Sequence, residues 1–240
     1  MAAFDPQTQY PAQSFLPPSA HHLLGTDQFG RDVLSRMLAG SRPVMEIAPM
    51  ATILAIGTGT AIGLAAGTYG RWVDEVTMRI LDAVLVFPTI VASVLFVAML
   101  GRGIGVVVAV VGLSFVPIVA RSVRAATLVE RRKPYVEAAL LRAEPTWSLM
   151  ARELLPNVSR TVAVEAASRL GDAVFAAATL SFLGLGQPPG SPDWGASVSD
   201  NRAWLQNAPW TVLGPALAIA SLVVSVALIA DELRTRLDDR

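Results

Sequence analysis

PYVEAALLRAEPTWSLMARELLPN, residues 134–157, is the stretch on which the reading of this chain turns. Tyr135, Ala138 and Ala139 recur at helical spacing, with Glu137 and Arg142 on the opposite side. After a turn, Trp147, Met150, Ala151, Leu154 and Leu155 form the apolar stripe of a second short helix. Pro156 is expected to end that helix, because a proline ring clashes with the preceding turn. The small alanines permit close backbone approach to a groove in another protein, and Glu137 can cap or pair with an arginine there. This ordered, polar piece lies between long apolar runs, where a plain connection would be shorter. A soluble protein docking on it explains its presence. A helix lying on the membrane surface without a partner is the competing reading.

Working outward, the flanking segments are membrane spans. The chain has 240 residues, 53% hydrophobic and only 16% charged, against about 25% charged in ordinary globular domains. A hydrocarbon core of roughly 30 Å takes about 20 apolar residues as helix. Residues 47–66, 83–100, 104–120 and 211–230 meet that test, and 161–183 does so apart from Glu165, Arg169 and Asp172. The expected fold is an all-α membrane protein, a polytopic helical bundle with five visible spans. Zero formal net charge gives no pointer to nucleic acid, and zero cysteines exclude disulfides, thiolate zinc sites and thiol nucleophiles. A phosphate-binding P-loop needs lysine directly after glycine; the single lysine, Lys133, follows Arg132. The chain is therefore expected to be no ATPase, and no enzyme.

Charge sets the expected orientation. Arg121, Arg124, Arg131, Arg132, Lys133, Arg142, Arg152 and Arg160 surround the central stretch; Arg71, Arg79, Arg234, Arg236 and Arg240 fall on the same side. Only Arg31, Arg36, Arg42, Arg102 and Arg202 fall on the other. The positive-inside rule makes residues 121–160 cytoplasmic and leaves Trp194, Trp204 and Trp210 at or near the external interface. Five spans also put the N-terminus outside, although residues 1–20 have no charged start, apolar run or cleavage site. A preceding span absent from this reading frame is the expected explanation. The expected divisions are an external segment, 1–43, carrying an amphipathic helix; a transmembrane domain, 44–231; and a cytoplasmic tail, 232–240.

Four stretches, in order, carry a resemblance. HLLGTDQFGRDVLSRMLAGSR (22–42), AGTYGRWVDEVTMRILD (66–82), YVEAALLRAEPTWSLMARELLPN (135–157) and LSFLGLGQPPGSPDWG (180–195) resemble the integral-membrane permease subunit of bacterial peptide-type ABC importers. The likeness is closest to the C-type permease of dipeptide and oligopeptide systems. It implies the type I ABC importer transmembrane fold in the bacterial cytoplasmic membrane. It also implies a paralogous permease as the other half of the route, two ATPase subunits that hold the ATP and magnesium, and an extracytoplasmic binding protein. In it, 135–157 corresponds to the family's EAA loop, so Tyr135, Glu137, Ala138, Ala139, Ala143, Leu155, Pro156 and Asn157 are the expected ATPase-coupling residues. The chain departs from the pattern twice: the family's first span is missing, and Ala143 replaces the usual glycine of the turn. If that turn needs positive φ, alanine costs about 1–2 kcal/mol, and Pro145 suits the first turn of the helix that follows. The substrate is expected to be a di- or oligopeptide, with nickel or another small solute as the alternative. From another class, an ion-coupled secondary transporter would use Glu165 and Asp172 as carriers, but it should show inverted repeats, and none is visible. A membrane-embedded hydrolase lacks a G-x-S-x-G elbow and a histidine inside the spans.

The remaining candidates lie elsewhere. Asp172 sits about 16 Å along the axis from residue 161, near the midplane. Two readings stand: it faces a translocation route and meets a cationic substrate group, or it makes a helix–helix contact with a hydroxyl or the Arg169 head. Pro88 and Pro117 are expected to bend their spans, as packing kinks or as gating elements. Residues 25–42 read as a turn and an amphipathic helix on the outer membrane surface, with Phe29, Val33, Leu34, Met37 and Leu38 on one face and Thr26 or Asp27 as cap. The Gly- and Pro-rich loop 184–209 reads as an irregular external excursion, with Gln187, Pro188 and Trp194 placed to meet the binding protein. His21 and His22, being adjacent, share no helix face, and no metal site is expected.

Overall fold

The computed structural model describes residues 4–238, and Arg240, expected on the cytoplasmic side, lies outside them. Among the described residues the backbone is helical, with a lone Thr26–Asp32 bridge and no strand. Helix α1 spans Val33–Tyr69, α2 Arg71–Val86, α3 Thr89–Leu100, α4 Ile104–Glu130, α5 Pro134–Leu141 and α6 Thr146–Ser148. A π-helical turn, Leu149–Leu154, joins α6 to α7, Leu155–Phe182; α8 is Trp194–Asn201 and α9 Trp210–Asp238.

Helices α1, α4 and α9 are long and apolar enough to cross a membrane. The expected span at 83–100 is not one rod. Its apolar run is divided between α2 and α3, which meet at 83°, because Phe87 and Pro88 leave the helical region and Pro88 becomes the N-cap of α3. The expected mid-helix bend is thus a break. In α4, by contrast, the helix runs on through a buried Pro117. Helix α7, at 28 residues, is about 42 Å long, but Glu165, Arg169 and Asp172 make it a span by length rather than by composition.

The core forms where α1 lies along α4. Ala51, Ala55, Gly59, Gly63 and Gly67 recur every fourth residue on one buried face of α1. A β-carbon at Gly59 would stand 2.7 Å from Val119 Cβ, at Gly63 2.5 Å from the Ala120 carbonyl, and at Gly67 2.7 Å from Thr127 Cβ. Small residues at this spacing let two membrane helices approach backbone to backbone. Helix α7 completes the packing with Ala173, Val174, Ala177 and Leu180 against Val44, Ile47, Val107 and Val111.

The surface helix expected at 25–42 does not exist as a separate element. Residues 33–42 are the first turns of α1, whose cap is Asp32; its carboxylate accepts from the Ser35 N–H at 2.8 Å. The expected boundary at 43/44 therefore falls inside a helix. Residues 4–32 fold over that end of the bundle, held by polar bonds: the buried Arg36 donates to the Pro6, Gly190 and Ser191 carbonyls. Asp27 accepts from Arg31 at 2.7 Å, and His22 contacts Asp32 at 2.9 Å. The 184–209 excursion is likewise more regular than expected. It contains α8, because Asp193 supplies an N-cap by accepting from the Ala196 N–H at 3.1 Å.

Candidate functional site

The chain doubles back between α4 and α7 through the 134–157 stretch, at the basic end of the bundle. Pro134 occupies the first turn of α5, where its missing N–H costs nothing. Val136 and Ala139 face inward and are completely buried with Leu149 and Leu154 against Leu64, Val119, Val123 and Val158. Burying these side chains fastens the bracket to α1, α4 and α7 together. The expected stripes are therefore split. Ala139 and Leu154 belong to the interior, whereas Glu137, Ala138, Leu140, Leu141 and Trp147 are exposed, Leu141 to 84% and Trp147 to 63%. Ala139 cannot line a groove for another protein, since its methyl is already used.

The turn at Ala143 does need positive φ: it stands at +53°. The Ala143 N–H donates to the Leu140 carbonyl at 3.0 Å and the Glu144 N–H to the Ala139 carbonyl at 3.3 Å. This pair of bonds is the Schellman closure in which the left-handed position is ordinarily glycine. Arg142 clamps the turn by donating to Glu144 at 2.7 Å and pairing with Glu153 at 3.6 Å. Pro145 is the N-cap of α6, one place earlier than expected. Pro156 does not end the second helix. The helix widens into the π-turn just before it, with the Leu155 N–H reaching the Met150 carbonyl, and continues as α7. Leu155, Pro156 and Asn157 are thus exposed first-turn residues of a helix that runs to Phe182.

At the other side of the bracket, the Tyr135 hydroxyl donates to Glu130 at 2.9 Å, and Lys133 reaches the same carboxylate at 2.6 Å. Burial and the Glu130 carboxylate push the Tyr135 phenol up to about 12, so it stays a neutral donor under physiological conditions. Helix α2 is held to α4 by the two-pronged contact of Arg124 with Asp74 and by Arg121 with Asp82. Periodicity alone gave no sign of these cross-links, since Asp74 and Arg124 are 50 positions apart.

The charges on α7 form a chain. Arg169 donates to Glu165 at 3.3 Å and to Asp172 at 2.5 Å, and its guanidinium stands 5.7 Å from the Phe115 ring centre. Asp172, half exposed at 51%, opens onto a cleft of about 290 Å³ lined by Thr89, Ser114, Phe115, Phe175 and Thr179, among others. Pro88 precedes that cleft by one residue. At the far end, Gln187 is half-buried and Pro188 exposed, but Trp194 is buried. Its indole N–H donates to the Met37 carbonyl at 2.7 Å, and Trp210 reaches the Thr26 carbonyl at 3.2 Å. Trp194 is therefore committed to the fold and not free to meet another protein; of the three tryptophans expected at the interface, Trp204 is the most open.

The sequence and fold have known relatives. A family described as binding-protein-dependent transport system inner membrane component matches residues 59–240. A dipeptide transport system permease protein of Alkalihalophilus pseudofirmus is 37% identical over 96% of this chain and 76% of its own length. A glutathione transport system permease protein of Pectobacterium atrosepticum is 37% identical over 93% and 74%, and a putative peptide transport system permease protein of Brucella suis 38% over 94% and 76%. Among solved structures, an inward-facing MetNI methionine ABC transporter shares the fold, with a TM-score of 0.70 at 14% identity, covering 84% of this chain and 96% of that one. With its bracket between α4 and α7 and its row of apolar helices, this chain belongs to the family of inner-membrane components of binding-protein-dependent transport systems.

Proposed function

We propose that the chain is one permease subunit of an ATP-driven importer of short peptides. It forms half of the translocation route in the cytoplasmic membrane, beside a paralogous permease. Two ATPase subunits dock on the 134–157 bracket and carry all nucleotide and magnesium; a binding protein delivers substrate at the opposite end. The transmembrane unit runs from α1 to α9, and the last turns of α9 form the cytoplasmic tail. The peptide cargo is supported by relatives named for dipeptide, glutathione and peptide transport.

The observation that carries this reading is mechanical. Glu137, Ala138, Leu140, Leu141 and Trp147 face outward on a bracket whose other face is buried in the bundle. A protein seated there grips α1, α4 and α7 at once. From Thr146 the backbone continues as helix, through the π-turn, to Phe182. A push on Trp147 therefore tilts α7 as a lever, and Asp172 and the far-end packing move with it. Closing the ATPases biases the bundle between two arrangements, and the affinity of each side for its partner shifts reciprocally. Glu165 and Asp172 are paired through Arg169, which suits a fixed element of the lever better than a pair of mobile proton carriers.

The test is reconstitution of the complex in vesicles, with Ala138→Cys and Leu141→Cys read for disulfide crosslinks to a cysteine-bearing ATPase. ATP-dependent peptide uptake together with crosslinks at both positions is expected. Uptake that ignores ATP but collapses with the proton gradient, or crosslinks that form only from the opposite face of the membrane, would overturn the assignment.

A further inference from the structure

We propose that the cleft between α3, α4 and α7 is a subsite for the N-terminal residue of a transported peptide, with its ammonium held by Asp172. The inference rests on the reading of the chain as a peptide permease and assigns a contact within that route.

Three observations point there. First, one of the carboxylates on α7 is left open. Glu165 and Asp172 share one guanidinium, Arg169. Glu165 and Arg169 are largely covered, at 16% and 18% exposure, whereas Asp172 is the open member at 51%. Arg169 takes Oδ2 of Asp172; a carboxylate accepts at both oxygens, so the half-exposed group keeps capacity for a second cation.

Second, two hydroxyls that line the cleft can only accept. The Ser114 hydroxyl spends its proton on the Val110 carbonyl at 2.7 Å, and the Thr179 hydroxyl on the Phe175 carbonyl at 2.9 Å. Both residues line the cleft, and what their oxygens have left is lone pairs. Acceptors on the lining suit the N–H donors of an ammonium.

Third, the opposite wall has the complementary character. Thr89 and Ile90 begin α3 and line the same cleft, and that helix starts without a side-chain cap because Pro88 is its N-cap. Its first amides suit an acceptor oxygen. In a peptide, the first carbonyl lies beside the ammonium, so one terminal residue satisfies both walls. Phe115, Phe175, Val111 and Leu180 surround the remaining space and would take its side chain. About 290 Å³ is the lower end of ordinary small-ligand sites, enough for one residue and not for a whole oligopeptide.

The chain's lack of cysteine makes the experiment direct. The complete transporter, in vesicles with its binding protein saturated, is assayed for uptake of one peptide with a free and with an acetylated N-terminus. The wild type is expected to favour the free amine by about tenfold or more, as for a charged hydrogen bond. Asp172→Cys should erase the preference. A thiol reagent adding a sulfonate should restore it, and one adding an ammonium should not. If Asp172→Cys does not assemble, Thr179→Val and Ser114→Ala decide: a drop in the ratio of about threefold each supports the subsite, and an unchanged ratio refutes it. Equal loss for both peptides, or rescue by either reagent alike, would make Asp172 a packing residue and end the proposal. Wild-type uptake without preference removes this inference alone; no ATP-driven uptake of either peptide removes the permease assignment and the inference with it.

Discussion

Adding a single methyl group to α1 tests what holds the bundle together. A β-carbon at Gly63 would lie 2.5 Å from the Ala120 carbonyl oxygen, 2.9 Å from Val123 Cβ and 3.0 Å from the Arg124 nitrogen. Two of these three atoms are α4 backbone and cannot rotate away. Even a close carbon–oxygen contact is about 3.3 Å, so α1 and α4 must separate by about 0.8 Å. The flanking contacts at Gly59 and Gly67 would loosen with them. Overpacking of this kind costs about 1–3 kcal/mol, and three simultaneous clashes place Gly63→Ala toward the upper end. Alanine returns up to about 1 kcal/mol of helix preference, for a net loss of roughly 2 kcal/mol. Gly57 lies on the same helix with nothing within 4 Å of its would-be β-carbon, so Gly57→Ala keeps the preference term without the clash. It should be neutral, or stabilising by up to about 1 kcal/mol. Thermal unfolding of the purified protein in detergent, followed by tryptophan fluorescence, should therefore lower Tm by about 4–8 °C for Gly63→Ala and leave Gly57→Ala at or slightly above wild type. Equal melting of the two variants would refute the close α1–α4 approach as the organising contact of the fold.

Other substitutions probe the bracket and the far end. Ala143→Gly should relieve the left-handed strain at +53° and, after the added freedom of the unfolded chain, stabilise the turn by about 1 kcal/mol. Slower amide exchange at Ala143 and Glu144 would show it, and unchanged exchange would argue that the turn carries no strain. Trp194→Phe removes the 2.7 Å bond to the Met37 carbonyl while keeping most of the ring, and should cost about 0.5–1.5 kcal/mol, the net worth of one neutral hydrogen bond; a melting temperature equal to wild type would show that the bond contributes nothing. Tyr135 binds its proton more tightly in the fold than in the unfolded chain, with its phenol pushed up to about 12. Its contribution to stability is therefore intact below about 10 and is lost as pH rises toward 12. Ultraviolet titration of wild type against Tyr135→Phe should show the missing tyrosine ionising near 12; an ordinary midpoint would contradict the geometry around Glu130.

How much of this was legible in the sequence depends on which property each residue type advertises. Runs of 18 or more apolar residues announce α1, α4 and α9, because a bilayer demands length and hydropathy and little else. The same measure is blind to shape. Within 83–100 nothing polar marks where the rod breaks, and Pro88 reads equally as a kink or as an N-cap; its place depends on whether Phe87 leaves the helical region, as it does. Alanine and glycine suffer most, since a hydropathy reading counts them as filler. Yet the repeat of small residues at 51, 55, 59, 63 and 67 sets a backbone-to-backbone helix contact, and it is present in the sequence as a plain period of four. Amphipathic stripes in short helices are ambiguous for another reason. Leu154 shares an apolar stripe with Trp147, as if both faced a partner, but the chain supplies its own partner for Leu154 in Val136 and Ala139. Polarity misleads most at Asp172 and its neighbours. Three charges inside a span look like a defect until Arg169 is seen bridging two carboxylates; the half-exposed Asp172 then stands out as the member the helix itself does not cover. A sequence can display the members of such a set, but which of them is covered and which is left open to a cleft is decided by the helices packed around it.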